Sequence, residues 1–308
     1  MGRVAFVFSG QGAQQVGMGR SFYEQDSDVR TFFDQAEQVR PGTLSLMFEG
    51  SNDELKKTEH TQPCLYLTDL AAAMVLEKAG ITPHGVAGFS LGELPALAFA
   101  GAYDALTGFQ LTTLRGRFMS EVSEQCPSTM MAVLKLENHV VEELCHTVGN
   151  VYPVNYNAKG QLVVAGAKAD LDRLLPLVKQ AGGAAIPLAV SGGFHSPYMD
   201  EAAKRFAEKS LEFVTQCPSL PVYANVDAAP YADAPLAKLV QQINHPVLWQ
   251  KLIENMVADG YDTFIEVGIG TTLQKLIAKI APQVKTYVVN TMDDVEKLTQ
   301  EAQHVAST

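Results

Sequence analysis

The sequence predicts an α/β protein: a large body on a parallel sheet, interrupted by a small ferredoxin-like subdomain of order β-α-β-β-α-β. Three observations carry this prediction. Short apolar runs alternate with amphipathic stretches, as where parallel strands are joined by crossover helices. The stretch 130–190 breaks that rhythm by placing two successive strands between two helices. Cys126-Pro127-Ser128 and Ser191-Gly192-Gly193 bracket it as joints, which sets the body at 1–126 and 192–308 and the subdomain at 127–191.

The elements follow in order. An apolar run at 4–8 reads as a buried strand, followed by a Gly-rich loop at 9–19. A second strand at 85–89 turns sharply into a helix that starts after Ser90. Asp104 caps the next helix, which runs to about residue 123. Within the insert, strands are expected at 130–136, 151–157, 161–165 and 184–190, with helices at 137–148 and 168–180. A strand at 263–267, a Gly-bounded turn at 268–270 and a helix at 271–280 follow. The polar tail after about Asp294 reads as a surface helix.

Composition narrows the function classes. With 47% hydrophobic and 19% charged residues, the 308-residue chain can bury a sizeable core and is not a disordered one. A formal charge of −11 opposes nucleic acid as a general partner, because phosphate binding needs a basic face. The four cysteines are widely spaced with no C-x-x-C pair, so neither a disulfide framework nor a metal site is expected. The N-terminal apolar run is too short for a signal-peptide core. The Met1-Gly2 start resembles a myristoylation signal but has Phe6 where Ser or Thr is needed. No apolar run reaches the roughly 18 residues that point to a membrane span. A cytoplasmic protein without membrane contact is the expectation.

Gly88-Phe89-Ser90-Leu91-Gly92 matches G-x-S-x-G between a strand and a helix, which gives the body an α/β-hydrolase-like character. On such a turn the serine hydroxyl is exposed, the glycines relieve crowding, and the helix N-terminus offers N–H groups to a developing oxyanion. The bland alternative is a turn serine that caps the helix. A nucleophilic serine needs a base. Of seven histidines, His139 and His146 fall on the subdomain helix, His304 in the tail, and His60 and His84 in polar loops. His195 follows the second joint, where loops from two bodies meet, and His245 before Pro246 is its competitor. The loop from Ser9 to Gln14 fails the dinucleotide pattern because Gln15 replaces its third glycine. It reads either as backbone that brings an oxyanion N–H to the serine or as a plain tight connection.

Arg115 and Arg117 share one helix but not one face. Arg117 has Thr113 and Glu121 one turn away and belongs to a polar face. Arg115 has Leu111, Thr112, Phe118 and Met119 there, with no acid in helical reach. A guanidinium on that stripe needs a negative partner, either a distant acid of the chain or a carboxylate that arrives with the substrate.

With these residues in place, the chain resembles the malonyl-CoA:acyl carrier protein transacylases of fatty acid and polyketide synthesis. The resemblance runs from about Val4 to Asn290. It includes Thr61-Gln62-Pro63, Ser90 with its glycines and Glu93, Arg115-Gly116-Arg117, Asn155-Tyr156-Asn157, Phe194-His195-Ser196, His245-Pro246-Val247 and Glu266-Val267-Gly268. It implies an S-malonyltransferase in which Ser90 is acylated and His195 acts as base and then acid. The N–H groups of Gln11 and Leu91 would form the oxyanion hole, and the backbone carbonyl of Gln242 would orient His195. Arg115 would pair with the malonyl carboxylate, and Phe194, Gln62 and Asn157 would join it in binding substrate. Malonyl-CoA and holo acyl carrier protein are the implied partners, with no cofactor and a monomeric chain. The chain departs from the family where Phe89 stands in place of the common His, where Ile269 stands in place of the common Pro, and at Gly192-Gly193, which is not the usual lead-in to Phe194. A thioester hydrolase using the same serine and a non-catalytic docking subunit of a synthase are the alternatives. Arg115 speaks against the first, and the intact Ser90, His195 and Arg115 against the second.

Overall fold

The computed structural model describes residues 2–306. In chain order the first strands are β1 (Arg3–Phe8), β2 (Gly85–Gly88) and β3 (Thr129–Leu134). They are followed by β4 (Val151–Ala158), β5 (Gln161–Gly166) and β6 (Ala184–Pro187). The last are β7 (Val222–Tyr223), β8 (Tyr261–Val267) and β9 (Lys285–Val289). The large sheet has the order β7-β2-β1-β8-β9, and every pairing in it is parallel. The small sheet has the order β4-β5-β3-β6 and is antiparallel, the strand arrangement of the expected ferredoxin-like unit.

Strand alternation explains how the body is layered. Along β1, Val4, Phe6 and Phe8 enter one core while Ala5 and Val7 enter the core on the opposite face. A sheet buried on both faces reads as a continuous apolar run, which is what made β1 visible in the sequence. The small sheet is two-faced in another way. Met131, Val133, Leu162 and Val164 pack on its own helices, whereas Met130, Val163 and Ala165 join the core of the body. The site lies along this second face.

All four small-sheet strands fall inside 127–191, and the two joints run side by side. Gly193 N–H donates to Ser128 Oγ at 2.8 Å, and Thr129 Oγ1 donates to the Val190 carbonyl at 2.9 Å. We infer a subdomain entered and left at these joints. Its first and last strands along the chain are shorter than expected. β3 ends at Leu134 because Lys135 turns into the left-handed region (φ 67°). β6 ends at Pro187, opposite Met131, and only one further backbone bond, Leu188 N–H to the Met130 carbonyl at 3.0 Å, continues the pairing toward the start of β3.

The helix Thr58–Lys78 has no counterpart among the expected elements. It is buried without interruption from Thr61 to Ala73, so it shows no amphipathic stripe. His60, expected in a polar loop, lies in its first turn, with Nδ1 3.0 Å from the Glu54 carbonyl. No described helix is long and apolar enough to cross a membrane.

Candidate active site

The loops after β1 and β2 leave the C-terminal edge of the large sheet together, the edge where α/β sheets place their sites. β1 and β2 pair in register up to Phe8 opposite Gly88, so the loop from Ser9 runs beside the turn at Ser90. Phe89 N–H donates to the Phe8 carbonyl at 3.1 Å and fixes that juxtaposition. The turn needs its glycines. A Cβ on Gly88 would overlap the backbone of Gly92, and one on Gly92 would overlap the Phe8 carbonyl. Gly10 is equally constrained, since its Cβ would come 2.7 Å from the Phe89 carbonyl.

Ser90 takes φ 52°, and His195 takes φ 62°. Non-glycine residues rarely adopt this region, and such strain collects at functional sites. The Ser90 turn is held from a distance by Asn225, a fully buried residue. Its Oδ1 accepts from Ser90 N–H at 2.7 Å, and its Nδ2 donates to the Gly88 carbonyl at 2.6 Å. The helix that follows begins with one 3-10 turn, Ser90–Gly92, before Glu93–Phe99.

Ser90 Oγ stands 2.7 Å from His195 Nε2, and His195 Nδ1 stands 2.7 Å from the Gln242 carbonyl oxygen. A carbonyl only accepts, so Nδ1 carries the proton and Nε2 is free to accept the serine proton. Burial, and then the nearby Arg115 charge, lowers the His195 pKa to about 3. The imidazole is therefore neutral and available as a base at any ordinary pH. His245 is exposed, and its Nδ1 faces the Gln241 carbonyl and Asn244 Oδ1, not the serine.

Arg115 is 1% exposed. Its Nη1 donates to Gln62 Oε1 at 2.7 Å; its Nη2 donates to Gln242 Oε1 at 2.7 Å and to Ser90 Oγ at 3.2 Å. No carboxylate lies within 4.0 Å of it among the described residues, and its Nε is a buried donor without a partner. Burial lowers its pKa to about 10, which leaves it a cation. Arg117, by contrast, is half exposed and 3.7 Å from Glu121.

A cavity of about 90 Å³ is lined by Gln11, Gln62, Ser90, Leu91, Arg115 and His195, with Phe194, Met119, Met130, Leu188 and Val190 as apolar walls. Its volume, about three waters' share of the liquid, suits a group of a few heavy atoms. A second cavity of about 260 Å³ shares Gln11, Phe89, Asn155 and Leu188 with it. Asn157 lines this second cavity and not the serine pocket. The Oδ1 atoms of both Asn155 and Asn157 are buried acceptors without partners. The Gln11 loop is pinned from the helix Thr58–Lys78: Ser9 Oγ donates to buried Asp69, and Gln11 Nε2 donates to Thr58 Oγ1 at 3.1 Å. Phe89, at the position where His is common, packs edge-on against Trp249 with ring centroids 5.5 Å apart.

Residues 5–302 match the acyl transferase domain family. A malonyl CoA-acyl carrier protein transacylase of Bacillus subtilis is 35% identical over 96% of this chain and 96% of its own. The chain belongs to this transacylase family. The crystal structure of such a transacylase from Clostridium perfringens superposes with a TM-score of 0.95 at 32% identity, covering 99% of this chain and 98% of that one. A malonyl-transacylase solved in complex with its type II PKS acyl-carrier protein gives a TM-score of 0.92 at 32% identity, covering 97% and 99%. The family expected from the motifs and the α/β fold with its two sheets are thus both found.

Two residues at the site carry no role that the sequence suggests. Asn225 gives no signal, because it sits in a turn after β7 that matches no motif. Glu93 enters the sequence only as part of a motif; it is fully buried and accepts from Tyr231 Oη, Asn225 N–H and Gln242 Nε2. The Gln242 side chain is a third addition, since the family resemblance implies only its carbonyl.

Proposed function

We infer that the protein transfers a malonyl group from malonyl-CoA to the phosphopantetheine thiol of an acyl carrier protein through an ester on Ser90. His195 Nε2 takes the Ser90 proton as Oγ attacks the thioester carbonyl. The oxyanion is met by the N–H groups of Gln11 and Leu91, at the loop and turn that flank Oγ. The imidazolium returns its proton to the departing coenzyme A sulfur, and a carrier thiol then reverses the sequence. The unpartnered Oδ1 atoms of Asn155 and Asn157 suit the amide N–H groups of a pantetheine arm in the larger cavity. Both thiol substrates carry that arm, which is why one channel serves both halves of the reaction. We place the reaction in the cytoplasm, a reading supported by four cysteines that are all free thiols.

The observation that carries the malonyl assignment is Arg115. It is a buried cation 3.2 Å from the nucleophile, with no carboxylate beside it and one donor unfilled. A substrate carboxylate supplies what it lacks. Brief mixing with malonyl-CoA, followed by weighing the intact protein, tests the assignment. The wild type gains one malonyl mass and Ser90→Ala gains none; labelling that persists in Ser90→Ala overturns it. Added holo carrier protein removes the mass and acquires it.

A further inference from the structure

Arg115 and Glu93 are buried groups of opposite charge that do not touch. The Gln242 carboxamide fills the gap, with Oε1 2.7 Å from Arg115 Nη2 and Nε2 2.8 Å from Glu93 Oε2. Every hydrogen-bond partner of Glu93 is neutral: the Tyr231 hydroxyl, the Asn225 amide and the Gln242 carboxamide. Among the described residues, neither charge has an ion-pair partner within 4.0 Å.

The groups facing Glu93 from the surrounding elements are few. Tyr231 and Tyr103 are phenols whose burial pushes their pKa values well up, so both stay neutral. Beyond Tyr231, Lys238 and Asp227 close on each other at 2.7 Å. His195, on the carbonyl side of Gln242, is neutral. Arg115 is therefore the charge that Glu93 answers.

We propose that Glu93 is the resident counter-charge of Arg115, and that it surrenders this role by taking up a proton when a carboxylate-bearing acyl group is captured. The proposal rests on the malonyl reading above. In the free site one cation faces one anion across a polar bridge. A malonyl carboxylate on Arg115 would leave two buried anions sharing one cation in a medium that screens them weakly. A single proton restores neutrality, and Glu93 is placed to accept it. Burial raises its pKa to about 7 against the hydrogen bonds from Tyr231, Gln242 and the Asn225 N–H, and the Arg115 charge adds a further pull against that rise. Cancelling the Arg115 charge removes the pull, so the value climbs and a proton is bound at constant pH. That proton comes from solvent. Acylation itself is proton-neutral, because the Ser90 proton leaves on the coenzyme A thiol as the C–S bond breaks and the ester forms.

The consequence is that malonyl capture weakens relative to acetyl capture as pH rises above 7, by at most tenfold per pH unit. Glu93→Gln keeps the bridge, since its Oε1 can accept from Gln242 and Asn225 and its amide can donate to Tyr231. It removes the proton site.

The test mixes stoichiometric enzyme with malonyl-CoA or acetyl-CoA in weakly buffered indicator, and weighs the protein in parallel to count esters. The wild type takes up as much as about half a proton per malonyl ester at pH 7, and none per acetyl ester. Glu93→Gln forms the malonyl ester without uptake, and its malonyl-to-acetyl ratio of kcat/KM no longer falls with pH. A malonyl ester formed without uptake in the wild type overturns the proposal. Equal uptake with acetyl-CoA, or uptake that survives in Glu93→Gln, does the same. If Glu93→Gln does not fold, the wild-type comparison of the two acyl groups decides alone. Absence of any malonyl ester refutes the function itself, a different result.

Discussion

The carbonyl oxygen of Gln242 stands 2.7 Å from His195 Nδ1, so an uncharged amide, not a carboxylate, orients the imidazole beside Ser90. The carboxamide of the same residue holds Arg115 Nη2 at 2.7 Å. One residue thus sets the direction of the proposed base and the position of the proposed carboxylate clamp. A neutral orienting group also leaves the imidazolium unstabilised, which makes it a strong acid toward a departing thiolate. For a reaction that exchanges one thiol for another, rapid protonation of the leaving sulfur is the useful property.

His195→Ala should slow Ser90 acylation by about 10²–10⁴, the range for loss of a general base. His245→Ala should be far milder, because its ring is exposed and turned toward Gln241 and Asn244. Burst kinetics with malonyl-CoA measure both. The reverse order would make His245 the base.

His195 also makes stability depend on acid. Its folded pKa, about 3, lies below the ordinary histidine value, so between the two the unfolded chain binds the extra proton. The contribution is complete above the unfolded value near 6.5 and is lost as pH falls toward the folded one. The stability difference between wild type and His195→Gln should therefore shift against the wild type by up to about 3 kcal/mol from pH 7 to pH 4. Urea unfolding at the two pH values checks this; a constant difference would mean that His195 is not held neutral.

Arg115→Ala should lose about 2–5 kcal/mol of malonyl transfer, the range for truncating one side of a buried charge pair. In rate this is roughly 30- to several-thousand-fold. Acetyl transfer should fall little, and Arg115→Lys should rescue malonyl transfer in part, since an ammonium cannot offer two parallel donors. The ratio of kcat/KM for the two acyl groups is the quantity to measure, with Arg117→Ala as the control on the same helix. Equal losses for both acyl groups would assign Arg115 a structural role.

The malonyl ester should outlive many transfer turnovers, because a transferase must keep water from it until the thiol arrives. The apolar walls Phe194, Met119, Met130 and Leu188 around the serine serve that end. Following free malonate with and without carrier protein tests it. Fast release that the carrier leaves unchanged would make the protein a hydrolase.

The local patterns are legible in the amino-acid sequence, because each depends on residues close together in the chain. The strand β1 announces itself as an unbroken apolar run, the Ser90 turn by its glycines, and the isolation of Arg115 by the spacing of its helical neighbours. The helix Thr58–Lys78 escapes because periodicity reveals a helix only when one face meets water, and from Thr61 to Ala73 no face of this one does. The ends of the first and last small-sheet strands are misplaced because they depend on the left-handed turn at Lys135 and on the register of β6 against β3, neither of which an apolar run reveals.

By itself, the sequence determined the fold class and the family, and it singled out as candidates the serine, histidine and arginine that the structure brings together. Only the tertiary structure decided how their charges are balanced. Gln242 lies 127 residues from Arg115, and Asn225 lies 135 residues from Ser90; no spacing or periodicity connects such pairs. They meet because the parallel sheet brings the C-terminal ends of distant strands to one edge, where Gln242 on the helix Leu236–Asn244 reaches both Arg115 and Glu93. Burial there removes water as a solvent for Arg115 and Glu93. Once water is gone, each charge must be answered by whichever polar groups the fold has carried within reach.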